Sequence, residues 1–126
     1  MNRQELGKYI SDKYGVKAEY PWIKYPTFAV FRHADNQKWF AVIMTIDKQK
    51  LGVGGDGKID VVNLKCSADI VPTMWECEGI FPAYHMNKEH WITVALDSGA
   101  GRENLEFLLA LSYNLTKKRS KKENEP

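Results

Sequence analysis

The sequence predicts an α+β domain: a two-layer sandwich in which an antiparallel sheet carries helices on one face, in the order α-β-β-β-α-β-α. Two observations predict it. Three strand-like runs follow one another between residues 27 and 65 with only turns between them, the pattern of an antiparallel meander. The segments with helical character lie outside that meander: at the start, at about residues 68–77, and at the end.

The first helix is expected over residues 3–14. Asn2 is its N-cap and Glu5, three positions on, completes a capping box in which each side chain satisfies a free amide. Leu6 and Ile10 mark the buried stripe, with Tyr9 and Tyr14 beside it, and Gly15 ends the helix. Pro21 and Pro26 exclude regular helix from residues 20–26, which read as an extended aromatic loop. Residues 27–32 and 38–46 are rich in β-branched and aromatic side chains and form the first two strands about a turn at 34–37. In the third, residues 58–65, Ile59, Val61 and Asn63 face one way and Lys58, Asp60, Val62 and Leu64 the other. Ser67 then caps a short helix at about 68–77, with Pro72 near its first turn.

Residues 79–83 read as a loop. In the strand at 91–96, Trp91, Thr93 and Ala95 alternate with Ile92, Val94 and Leu96. Gly99 and Gly101 separate it from a last helix over about 102–118, where Leu105, Leu108, Leu109, Ser112 and Leu115 share a face that Phe107 and Leu111 widen. Basic residues are expected to close that helix against its dipole.

Between the second and third strands lies GVGGDG, residues 52–57, which fits the letters of a nucleotide-binding glycine motif. A dinucleotide site needs a helix after the glycines, and here a strand follows. A kinase loop joins two strands, but the catalytic-loop aspartate and the D-F-G metal aspartate are missing. The stretch is therefore read as a hairpin connection in which glycines supply positive φ.

At 126 residues, with 44% hydrophobic side chains, the chain suits one globular core. A single domain is expected over residues 1–116, followed by a tail at 117–126. Apolar runs fall well short of the ~18 residues that span a bilayer, and the polar first residues lack the core of a secretory signal. A cytoplasmic protein without a membrane partner is expected. Cys66 and Cys77 stand outside any C-x-x-C pattern and are expected as reduced, largely buried thiols. The net charge of +2 conceals an asymmetry. The tail holds five of the 18 basic and two of the 16 acidic residues, leaving the body nearly neutral at 13 against 14. Any affinity for nucleic acid must then come from a local patch or from the tail.

The densest concentration of unusual residues is PAYHMNKEHWITVALD, residues 82–97. With KWFA at 38–41, NLKC at 63–66 and LSY at 111–113, it resembles the signature of the MmcQ/YjbR family, small bacterial proteins often labelled DNA-binding. The resemblance implies a CyaY-like, or frataxin-like, α+β domain whose hairpins have been described as wings. It also implies a non-enzymatic, DNA-binding role. Frataxin-like iron binding would need a carboxylate-rich face, and the first helix offers only Glu5 and Asp12. No metal and no cofactor are expected.

The candidate site residues follow from chemistry. His85 and His90 are five apart, not the i, i+4 spacing of a helical zinc pair, and His33 stands alone. No nucleophile signature surrounds either cysteine, so no catalytic residue is assigned. Asn87, Lys88, His90 and Trp91 supply amide, cation, imidazole and aromatic groups suited to phosphate and base. Lys48, Lys50 and Lys58 flank the glycine hairpin as a wing, and Lys65 adds charge. The structural alternative has Trp91 filling the core while Asn87 and His90 bond the turn before it. The competing function is a protein- or small-ligand-binding groove built from Trp22, Tyr25 and Tyr84.

Overall fold

The computed structural model describes residues 1–118. Helix α1 (Arg3–Tyr14) is followed by strands β1 (Ala29–Arg32), β2 (Trp39–Asp47) and β3 (Lys58–Lys65), a one-turn helix α2 (Val71–Met74), strands β4 (Ile80–Pro82) and β5 (Trp91–Ala95), and helix α3 (Arg102–Thr116). The strands form one sheet in the order β1-β2-β3-β5-β4, antiparallel throughout. The expected fold class is the observed one.

The capping box forms as its spacing requires: Asn2 Oδ1 accepts from the Glu5 amide at 2.8 Å, and Glu5 accepts from the Asn2 amide at 3.0 Å. The alternation within each strand then sorts side chains between two cores. Leu6 and Ile10 of α1, Val71 of α2, and Leu105, Leu108 and Leu109 of α3 pack on the face that carries Phe31, Ile43, Val62, Leu64, Ile92 and Val94. The other face carries Val30, Val42, Met44, Ile46 and Val61, and it is covered by loops.

Several boundaries differ from expectation. The second helix is only Val71–Met74, because proline is tolerated only in a helix's first turn. A helix containing Pro72 must therefore begin beside it, and 68–70 become a turn on the Ser67 carbonyl. Residues 80–82, expected as loop, form edge strand β4, which pairs Phe81 with Thr93. Three residues ending in proline suit an edge, and their long-range partner leaves no local pattern. Helix α3 stops at Thr116, so Lys117 and Lys118 lie beyond its last turn instead of within it. Leu115, expected on the helix's buried face, is 43% exposed, and Phe107, at 67%, does not widen that face as Leu111 does. The remaining tail, 119–126, lies outside the described residues.

The glycine hairpin turns the chain, as its composition implies: Gly52, Gly55 and Gly57 have φ of 74°, 93° and 101°. Among the described residues no helix is long and apolar enough to cross a membrane. No three His, Cys, Asp or Glu side chains among them converge as a metal-sized cluster.

A β-bulge decides how the signature tryptophan and phenylalanine point. Phe31 pairs with Ala41 but Arg32 pairs with Trp39, leaving Phe40 as an extra residue. The shift turns Phe40 into the helix-side core, 5.9 Å from the Tyr14 ring and 5.0 Å from Tyr113, and sends Trp39 to the opposite face. Past the Ala41–Leu64 pair, β2 and β3 no longer bond each other. Ser112 of α3 enters there: its Oγ donates to the Phe40 carbonyl at 2.6 Å and accepts from the Lys65 amide at 2.8 Å. One turn on, the Thr116 hydroxyl donates to the Ser112 carbonyl at 2.8 Å and meets His33 Nε2 at the same distance. Burial pushes the His33 imidazole pKa down, favouring the neutral ring.

The two cysteines part company. Cys66 is buried and its thiol is pushed up by that burial, whereas Cys77 is exposed, contrary to expectation, because the turn after α2 faces solvent. Iodoacetamide at neutral pH is expected to alkylate Cys77 readily and Cys66 only after denaturation. Both thiols fall in one tryptic peptide, 66–88, so fragmentation of that peptide in the mass spectrometer locates the label; equal labelling of the two in the native protein contradicts the expectation.

Candidate nucleic-acid interface and aromatic pocket

The eight residues proposed for nucleic acid are divided between the two ends of the sheet. β3 runs from Lys58 to Lys65, seven steps that span about 23 Å. Lys48, Lys50 and Lys58 lie at its start, where Lys58 Nζ is 2.8 Å from Asp47 Oδ1. Lys65 lies at its end, opposite Trp91, with Asn87, Lys88 and His90 in the turn that leads into β5.

The end carrying Lys65 is the more ordered chemically. Asn87 builds its turn: Oδ1 accepts from the Glu89 amide at 2.8 Å, and its carbonyl accepts from the amides of His90 and Trp91. Trp91 is 8% exposed and fills space between β5 and its surroundings, so it offers no open face for a base. Lys65 Nζ sits 5.6 Å from the centre of the Trp91 ring, a cation–π contact that holds the ammonium beside the indole. Lys88 is exposed at the same end.

Lys38, Trp39, Lys65 and Trp91, with Leu115 and Thr116, line a groove of about 300 Å³. The lining holds two cations and two indoles and no carboxylate. Lys38 and Trp39 escaped the sequence reading as site residues; the signal available was their place in the KWFA stretch at the start of a strand. Chain beyond α3 leaves at Lys117, next to the groove's rim.

The second site lies on the loop-covered face. Trp22, Tyr25 and Tyr84, proposed from sequence as a groove, do converge, around a cavity of about 190 Å³. Val42, Met44 and Asn63 form its floor, Phe28 and Trp39 extend the wall from Trp22, and His85 and Met86 continue that from Tyr84. The proline loop is folded on itself by bonds from the Tyr25 amide to the Trp22 carbonyl and from Phe28 to Tyr25. The other wall is fastened by a buried polar triad. Asn63 Nδ2 donates to the Tyr84 carbonyl at 2.8 Å, Thr93 Oγ1 donates to Asn63 Oδ1 at 2.5 Å, and the Tyr84 amide donates to Thr93 Oγ1 at 2.9 Å. Asn63 and Thr93 are cross-strand partners, 1% and 0% exposed, so two polar side chains in a sheet become the anchor of a loop.

The YjbR family model matches residues 11–115, which takes in the whole lining of the cavity and all of the groove's but Thr116. The chain belongs to the YjbR family. A curated relative, the uncharacterized protein YyaQ of Bacillus subtilis, is 41% identical over 117 residues, covering 93% of this chain and 99% of its own. Among solved structures, a crystal structure of a Pseudomonas syringae protein is 46% identical and superposes with a TM-score of 0.92, covering 93% of this chain and all of that one. A solution NMR structure from the same organism, also 46% identical, gives 0.85 over 93% of this chain and 94% of its own. A Deinococcus radiodurans crystal structure, 25% identical, gives 0.60 over 82% of this chain and 70% of its own. The stretches that suggested the YjbR family serve the architecture in detail: KWFA contains the bulge, LSY contains Ser112, and NLKC contains Asn63 and Lys65.

Proposed function

We propose that this YjbR protein binds DNA, without catalysing a reaction, through the groove between Lys38 and Lys65. The observation that carries the reading is the groove's lining: two lysines held among two tryptophans with no carboxylate, on a body that is otherwise nearly neutral. The lysines meet phosphate, the half-buried Trp39 offers an edge to sugar or base, and Trp91 keeps Lys65 in place. Lys88 extends the cationic end, and the basic run at 117–122 starts beside it. A cytoplasmic setting goes with two free thiols and a DNA partner.

The test is fluorescence anisotropy with labelled duplex DNA across a salt series. It compares the full chain, a chain ending at Thr116, the pair Lys38→Ala with Lys65→Ala, and the pair Lys48→Ala with Lys50→Ala at the far end of the sheet. The groove pair is expected to weaken binding at least about tenfold and to lower the salt slope by about two, one per lost phosphate contact. The far pair is expected to change little. Binding that vanishes with the tail alone, or that responds equally to both pairs, overturns the reading.

A further inference from the structure

We infer that the cavity between the proline loop and residues 84–86 is a binding site for a small, uncharged aromatic molecule of one or two rings. This site is separate from the proposed DNA groove and does not depend on it, although Trp39 borders both.

Four features identify the occupant. The first is size: a cavity of about 150 Å³ walled by apolar side chains takes a benzene ring, and this one, at about 190 Å³, has room for slightly more. The second is charge. No Asp, Glu, Lys or Arg lines it, and the one amide in its floor has both ends committed, Nδ2 to Tyr84 and Oδ1 to Thr93. An ion entering would give up hydration for nothing in return, whereas a neutral ring would not. The third is the shape of the walls. Trp22 stands at 90° to Trp39, with ring centres 5.5 Å apart, and at 84° to Phe28 at 6.1 Å. Perpendicular rings present faces and edges together, the arrangement in which a further aromatic ring finds favourable contacts. The fourth is preformation. Backbone bonds hold the proline loop and the Asn63 triad holds the opposite wall, so the cavity is kept open against collapse. Tyr25, 47% exposed, stands at the mouth, and exposed His85 lies on the rim.

The four methionines report on the site directly. Met44 and Met86 line the cavity, while Met1 and Met74 pack in the helix-side core. In the full chain carrying 13C-methyl methionine, titration with indole is expected to shift the Met44 and Met86 methyl signals to saturation and leave those of Met1 and Met74 in place. Val42→Phe, which fills the floor, and Trp22→Ala, which removes a wall on the surface loop, are each expected to raise the indole Kd at least about tenfold. The Met1 and Met74 signals show whether each variant is folded, and the wild-type titration stands without them. The inference is overturned if indole moves none of the four methyls or all four alike, or if folded variants bind as the wild type does. It is also overturned if tetramethylammonium saturates the same methyls at lower concentration than indole, since the perpendicular rings would then be a cation box.

Discussion

Ser112→Ala is expected to lower the stability of the protein by about 2–4 kcal/mol, far more than loss of one hydroxyl from a helix surface, because two main-chain groups lose their partner at once. The Phe40 carbonyl and the Lys65 amide belong to neighbouring strands that diverge at the bulge, and the Ser112 hydroxyl is the group between them. Ser112 itself is fully buried. Alanine fits the space but leaves one acceptor and one donor unpaired, at about 1–3 kcal/mol each. Urea denaturation should show a lower midpoint with an unchanged slope. Hydrogen exchange supplies the specific signature: the Lys65 amide should lose more protection than the amides of Val62 and Leu64. A variant with wild-type stability, or uniform loss of protection, would mean that the strands re-form the missing pair without Ser112.

The second large effect is expected at Asn63. Asn63→Ala removes the donor to the Tyr84 carbonyl and the acceptor of the Thr93 hydroxyl, both buried on the loop-covered face, for a loss of about 2–4 kcal/mol. Because the triad acts as a unit, adding Thr93→Val should cost less than the two single changes summed. Asn63→Asp gives a sharper test. A buried carboxylate would meet the Tyr84 carbonyl, acceptor against acceptor, and burial would raise its folded pKa above the unfolded value near 3.9. Between those two values the folded state binds more protons than the unfolded one, so stability falls as pH rises. The Asp variant should therefore come closest to wild type near pH 4 and depart from it towards neutrality. A constant difference across that range would show that the group is hydrated and that residues 84–86 are not fastened there.

Both residues were visible in the sequence, but neither was visible as a hinge of the architecture. Ser112 read as a polar interruption in an apolar helix stripe, and Asn63 as a polar residue in a strand. A hydroxyl's partners are 47 and 72 positions away in the chain, and an amide's are 21 and 30. Local spacing reports which face a side chain takes; it carries no record of which main-chain group stands opposite.

The same division runs through the candidate sites. Trp22, Tyr25 and Tyr84 read as groove-forming because aromatic residues in two loops flank a sheet, and they do meet around one cavity. The cationic set did not hold together, since Lys58 and Lys65 occupy opposite ends of one strand and a single register determines that separation. Trp91 read either as a stacking platform or as core filler; it is 8% exposed, pairs with Lys65 across the sheet and lines the groove beside that lysine. Lys38 and Trp39 became candidates only because the bulge at Phe40 rotates the start of β2.

By itself the sequence determined the α+β class, the capped first helix, the three-stranded meander, the glycine turn and the YjbR resemblance. Each of these rests on short-range periodicity, on local backbone preference, or on contiguous motifs. Tertiary structure alone decided the short edge strand β4, the bulge, the two polar fastenings and the membership of the groove and the pocket. Those depend on strand register and on hydrogen bonds between distant segments, which are settled only when the whole sheet pairs and its buried polar groups must all find partners.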